Sequence, residues 1–255
     1  MIARFLRTWL FTAPLIAFST IFMGSLSMLA SLFDKTGNTQ HKMARFWSKL
    51  LLSIGFVQVE AEGLEKLDPQ RSYVLVSNHS SYYDTPVILA TIPLQFRFFA
   101  KQGLFGIPFL GTHLTRAGHF PVVRGDPRAS LKSMAEGARQ IRDRRISVLL
   151  FPEGGRSEHT LREFKEGAAH IAIRAGVPAV PVGITGTRSI LPMHTLHVLP
   201  GKVRIRIGDP IETSEMAPRD RGRLNLLLIE KVAEMTGEPL PSNAGLNCGA
   251  TGAGL

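Results

Sequence analysis

His79 and Asp84, in the run Ser77-Asn78-His79-Ser80-Ser81-Tyr82-Tyr83-Asp84, have the residue types and spacing best suited to proton transfer. An imidazole titrates near neutral pH. A carboxylate beside it fixes its tautomer, holds the ring and stabilises imidazolium, leaving the other nitrogen to take a proton from a hydroxyl. Five positions apart, the two side chains would lie on different faces of a regular helix, so the pairing requires an intervening turn. The competing reading is structural: His79 as a satisfied polar residue, and Asp84 as a helix cap ahead of Thr85-Pro86. The preceding Tyr73-Val74-Leu75-Val76 is a short apolar, β-branched run that predicts a buried parallel strand. His79 thus leaves a strand end, which is where open α/β sheets bind ligands.

A second informative stretch, Pro152-Glu153-Gly154-Gly155-Arg156-Ser157, comes after the apolar strand predicted over Ile146 to Phe151. Glycines let the backbone come close to a ligand and offer N–H groups, and an arginine takes an anion bidentately. A plain strand-to-loop turn is the alternative. Lys101 to Gly111 is rich in turn formers and lies just after a strand around Phe96 to Ala100. It reads either as ordinary surface or as a wall that brings Lys101 to an anion. Arg124, after Gly118 to Val123, adds a second basic group that matters only where it converges with Lys101.

A chain of 255 residues suffices for one domain with a substantial core plus appendages, and the net charge of +10 implies an anionic partner. The single cysteine, Cys248, excludes an intramolecular disulfide and a cysteine zinc cluster. An uncharged stretch from Thr8 to Phe33 is long enough to reach across a bilayer, and residues 1–41 are expected to form a membrane anchor. Lys35, Lys42, Arg45 and Lys49 outnumber Arg4 and Arg7, which places the main domain on the cytoplasmic side. Pro14 and Gly24 allow the alternative of a hairpin dipping into one leaflet. Residues 42–236 form the expected catalytic domain, opened by an amphipathic helix over 42–54 with Met43, Phe46, Trp47, Leu50, Leu51 and Ile54 on its apolar face. That face suits either a membrane interface or the core.

Further helices are predicted from Asp84 to Ala90, Pro127 to about Arg142, Phe164 to Ala175 and Arg219 to Met235. Strands are predicted over Phe56 to Ala61, Val177 to Ile184 and Lys202 to Ile207. The prolines of Val177 to Ile184 suggest an edge or an irregular start. Residues 237–255 read as a disordered tail. The fold class is α/β, with a mixed, largely parallel central sheet flanked by helices and an N-terminal membrane-associated helical segment.

Taken together, NHSSYYD, an NHxxxxD pattern, and FPEGGRS resemble the glycerolipid acyltransferase family, and within it the 1-acylglycerol-3-phosphate acyltransferases. The resemblance extends over roughly Val74 to Ile184. It implies transfer of a fatty acyl group from acyl-CoA or acyl carrier protein to the hydroxyl of a lysophospholipid, by default lysophosphatidic acid, at a membrane and without a cofactor. It further implies that His79 is the general base and that Asp84 orients it. Glu153, Gly154 and Arg156 would shape the acceptor site, and Lys101 and Arg124 would add charge for the phosphate. Gly155 departs from the threonine usual in the family. Other lysolipid acceptors remain open.

Three competing classes fit less well. A serine lipase or thioesterase needs a G-x-S-x-G elbow, which is missing. A metal-dependent phosphoesterase using His79, Asp84 and Glu153 lacks paired metal-spaced motifs. A basic membrane- or nucleic-acid-binding protein without catalysis would explain the charge. For nucleic acid, however, the basic segments lack stacking aromatics, and the long apolar N-terminus argues against such a partner.

Overall fold

The computed structural model describes residues 6–123 and 127–241. A π-helical turn, Thr8–Thr12, leads into α1 (Ala13–Ala30), then α2 (Asn38–Ile54), β1 (Val57–Glu62), β2 (Val74–Ser77), α3 (Asp84–Thr91) and β3 (Phe96–Lys101). Next come α4 (Leu110–Arg116), β4 (Phe120–Val122), α5 (Pro127–Arg144), β5 (Ser147–Leu150) and α6 (Gly167–Ala175). The chain closes with β6 (Ala179–Thr185), α7 (Thr187–Ile190), β7 (Gly201–Ile207) and α8 (Arg221–Thr236). The strands form a mixed, mostly parallel seven-stranded sheet in the order β1-β7-β6-β2-β5-β3-β4.

Two compact units divide these elements. One comprises the described residues of Met1–Glu62, Ser80–Val122 and Thr185–Ile205, the other those of Gly63–His79, Val123–Ile184 and Arg206–Leu255. In the second unit β2 pairs in parallel with β5 through Val76↔Leu150 and with β6 through Val76↔Pro181. All residues of β2 and β5 are buried, as are those of β6 up to Ile184, which is why each reads as an unbroken apolar run in the sequence. Helices α5 and α8 both pack on α6.

Of the edge or irregular start expected for the proline-bearing strand, the edge does not hold, since β6 lies inside the sheet. Its start is irregular: Val177 and Pro178 precede the strand, and Ala179 forms an isolated antiparallel bridge to Ile211. The Pro181 carbonyl accepts the N–H of Gly208. In a strand, a residue's N and O point to the same side. The missing Pro181 N–H therefore faces the end of β7, and the ladder to β2 loses no bond.

In the first unit α1 packs on α2 and α4 through small and polar groups. Thr20 Oγ1 accepts the Trp47 indole N–H, Ser27 Oγ and His113 Nδ1 lie 3.1 Å apart, and Arg116 donates to Ser31 Oγ. The ring of Phe109 lies against Gly24, where an added Cβ would come within 2.7 Å of it. The outer face of the Thr8–Ala30 segment carries Phe11, Leu15, Phe18 and Phe22, all exposed. From Thr8 to Ala30 the chain runs as one helical segment of 23 residues, long and apolar enough to cross a membrane. Pro14 sits just after the junction of the π-helical turn with α1, and the segment does not fold into a hairpin. In α2, Phe46 is 61% exposed, while Ser48, Leu51 and Leu52 face inward. The apolar stripe expected for residues 42–54 is therefore split between two faces.

Candidate active site

The sequence Val74-Leu75-Val76-Ser77 ends β2, and Asn78 fixes the course of the chain beyond it. Its amide donates to the Ile184 carbonyl at 2.9 Å and accepts the Ile184 N–H at 2.9 Å, which clamps the end of β2 to that of β6. His79 is half-buried, and its ring stacks on Phe151 with centroids 4.1 Å apart and planes 18° from parallel. The register explains the meeting. Val76 is opposite Leu150, so the residues just beyond each strand end emerge side by side.

The turn after Phe151 then grips the main chain of His79. Glu153 Oε1 accepts the His79 N–H at 2.6 Å, and the His79 carbonyl accepts the Ser157 N–H at 2.8 Å. The other Glu153 oxygen accepts the Arg162 N–H at 2.9 Å. Burial pushes the Glu153 carboxyl up to about 7, against the opposing pull of those two N–H groups. Gly154 adopts φ +71°, where an added Cβ would also press on the Lys165 side chain at 3.2 Å. Gly155 is unstrained, and a Cβ there would stand 3.6 Å from the Arg162 guanidinium. Arg156 is half-buried in the same turn.

Within the first unit, Asp84 opens α3 and is completely buried. Its carboxylate does not cap the helix it begins. Oδ2 turns back to accept the N–H groups of Ser80 at 2.7 Å and Ser81 at 2.9 Å, closing the turn that the five-residue spacing requires. The two serines are anchored as well: Ser80 Oγ lies 3.0 Å from Thr187 Oγ1, and Ser81 Oγ donates to the Leu191 carbonyl. Tyr83 is buried and donates its hydroxyl to the Leu51 carbonyl, whereas Tyr82 is exposed.

The structure thus brings together His79, Glu153, Gly154 and Arg156 in one unit. Lys101 ends β3 in the other unit, exposed, and Arg124 falls outside the described residues. Glu153, expected from the sequence to shape the acceptor site, accepts a main-chain N–H at each of its oxygens. Asn78, Phe151 and Ser157 lie within the NHxxxxD and FPEGGRS motifs, but the sequence reading gives them no site role; the structure brings all three to His79 and its strand end. The signal for Phe151 is its place at the end of a strand parallel to β2. Among the described residues no group of three or more His, Cys, Asp or Glu is placed to hold a metal ion.

Several known proteins are similar to this chain. The chain is 34% identical over 178 residues to 1-acyl-sn-glycerol-3-phosphate acyltransferase LPAT1, chloroplastic, of Arabidopsis thaliana, an alignment covering 69% of this chain and 49% of that one. It is 28% identical over 194 residues to the 1-acyl-sn-glycerol-3-phosphate acyltransferase of Saccharomyces cerevisiae, covering 74% and 63% of the two chains. The chain spans about half the length of the first of these curated relatives. The crystal structure of the 1-acyl-sn-glycerophosphate (LPA) acyltransferase, PlsC, from Thermotoga maritima has the same fold. Its TM-score is 0.74 at 24% identity, with 92% of this chain and 97% of that one covered. The Acyltransferase family model matches residues 58–185, half of the chain, a stretch that holds the histidine turn, the glutamate turn and the parallel strands that end in them; the chain belongs to that family.

Proposed function

We propose that this chain is a 1-acyl-sn-glycerol-3-phosphate acyltransferase, which moves a fatty acyl group from acyl-CoA or acyl carrier protein to the free hydroxyl of lysophosphatidic acid and yields phosphatidic acid. The observation that carries this reading is the imidazole of His79, leaving a buried strand end with its ring on Phe151 and its main chain held on both sides. Family membership supplies the reaction class, and the names of the relatives supply the acceptor.

The thioester is already activated, so the protein's tasks are deprotonation and positioning. The acceptor hydroxyl gives its proton to His79 as its oxygen bonds to the thioester carbonyl carbon. The tetrahedral intermediate collapses with cleavage of the C–S bond, and the departing thiolate recovers the proton from the imidazolium. Asp84, the carboxylate of the NHxxxxD pattern, steadies the ring and offsets its positive charge. General-base help of this kind is worth about 10² to 10⁴ in rate. Arg156, Lys101 and Arg124 supply the positive charge that a phosphate monoester requires. The exposed apolar face of α1 seats the protein at a membrane, with the catalytic residues on the cytoplasmic side.

The test is a matrix of acyl-CoA and acyl carrier protein donors against several lysolipid acceptors, run on membrane-reconstituted protein. Phosphatidic acid formed from lysophosphatidic acid is the expected product. Exclusive acylation of a different lysolipid, or salt-dependent RNA binding with no transfer, would overturn the assignment.

A further inference from the structure

Glu153 is only 7% exposed, and both of its oxygens serve the main chain: one takes the N–H of His79, the other that of Arg162, nine residues further along its own loop. The same short segment supplies Phe151 beneath the imidazole and the Ser157 N–H on the His79 carbonyl. Residues 151–157 therefore hold His79 at its ring, its N–H and its carbonyl. We propose that Glu153 is a positioning residue, which sets the imidazole by bracing the His79 backbone and makes no contact with the acceptor.

This inference rests on the acyl-transfer reading above. It differs from the role implied by family resemblance, in which the glutamate belongs to the acceptor site. A carboxylate suits the position, because each of its two oxygens is an acceptor and each meets one of the two main-chain N–H groups. Glutamine would have to point its NH₂ at one of them, leaving a buried donor facing a donor. Aspartate keeps both acceptors but is one methylene too short to reach both amides. Misplacing a catalytic group by about 1 Å can cost about 10² in rate, so a backbone brace has kinetic consequences.

The experiment compares wild type, E153Q and E153D in reconstituted membranes. It reads kcat and KM for both substrates, along with hydrogen exchange at the His79 and Arg162 amides by mass spectrometry. A brace is expected to show as a kcat lowered about 10- to 100-fold in E153Q and less in E153D, with KM for the lysolipid within about twofold of wild type. Exchange at the two amides should speed up together. A raised lysolipid KM with kcat unchanged would overturn the proposal and return Glu153 to the acceptor site, and unchanged exchange at His79 would also overturn it. Should E153Q fail to fold, E153D carries the same split. Should wild type transfer no acyl group at all, the acyl-transfer reading fails, and the exchange rates still decide whether the brace exists.

Discussion

The turn Pro152–Ser157 and the segment Lys101–Gly111 each come after a parallel strand, and the sequence suggests a ligand-facing role for both. They are built in opposite ways. In the first, a buried carboxylate and main-chain bonds fix the shape around a half-buried Arg156. In the second, a 3₁₀ turn over Gln102–Gly106 leaves Leu104, Ile107, Phe109 and Leu110 exposed. Phe109 there sits at φ +68°, ψ −58°, and the Leu110 N–H bonds back to the Pro108 carbonyl. That is a γ-turn, a strained conformation for a residue with a side chain. The difference teaches where rigidity is needed. Proton transfer tolerates little displacement, so the histidine is set by buried main-chain bonds, while the second segment leaves apolar side chains exposed.

The contrast breaks most plainly at His79. Replacing it with alanine is expected to lower turnover by about 10³, with the circular dichroism spectrum and membrane attachment unchanged. Retention of more than a tenth of wild-type turnover would remove the imidazole from its role.

The cost of rigidity should be visible in stability. Burial raises the Glu153 carboxyl from 4.5 to about 7, so the folded state binds this proton more tightly than the unfolded chain does. This group's contribution is thus fully present below about pH 4.5 and is lost as pH rises through 7, amounting to about 3 kcal/mol. Denaturant unfolding of wild type, compared with E153Q across that window, should show the wild type losing ground as pH increases. Parallel curves would mean that the carboxyl is not desolvated.

A smaller effect separates the basic groups. Arg156→Ala, from the braced turn, is expected to raise the lysolipid KM about tenfold, the worth of one charged hydrogen bond. Lys101→Ala, on exposed surface, should raise it only about two- to threefold and lose even that at high salt. Equal effects would erase the distinction between the two segments. The smallest change should come from Gly155→Thr. That position has no positive φ and an added Cβ meets only ordinary contact, so melting temperature should hardly move. A marked loss would show the turn to be tighter than its geometry indicates.

Much of this architecture is legible in the sequence because buried parallel strands write themselves as continuous apolar runs. β2 and β5 can be placed from Tyr73–Val76 and Ile146–Phe151, and with them the two strand ends where the chemistry sits. The charged stripe Lys202, Arg204 and Arg206 against buried Val203, Ile205 and Ile207 is equally plain. Other features leave no local trace. The bond from His79 to Glu153 joins residues 74 positions apart, and no periodicity reports a carboxylate spent on main-chain amides. Pro181 argues for an edge because sequence cannot say which neighbour a strand's N–H groups face. Helix α4 is hidden among the glycines and prolines of the segment before it, and it is held by packing on α1.

The central claim is that the acyl group passes directly from thioester to lipid alcohol, with His79 moving only the proton. The measurement that bears on it most directly is the intact mass of the protein after incubation with acyl donor alone, with lysophosphatidic acid added afterwards. Direct transfer predicts an unmodified mass in the first step and phosphatidic acid in the second. A stable acyl adduct that is discharged to the lipid when acceptor is added would contradict it.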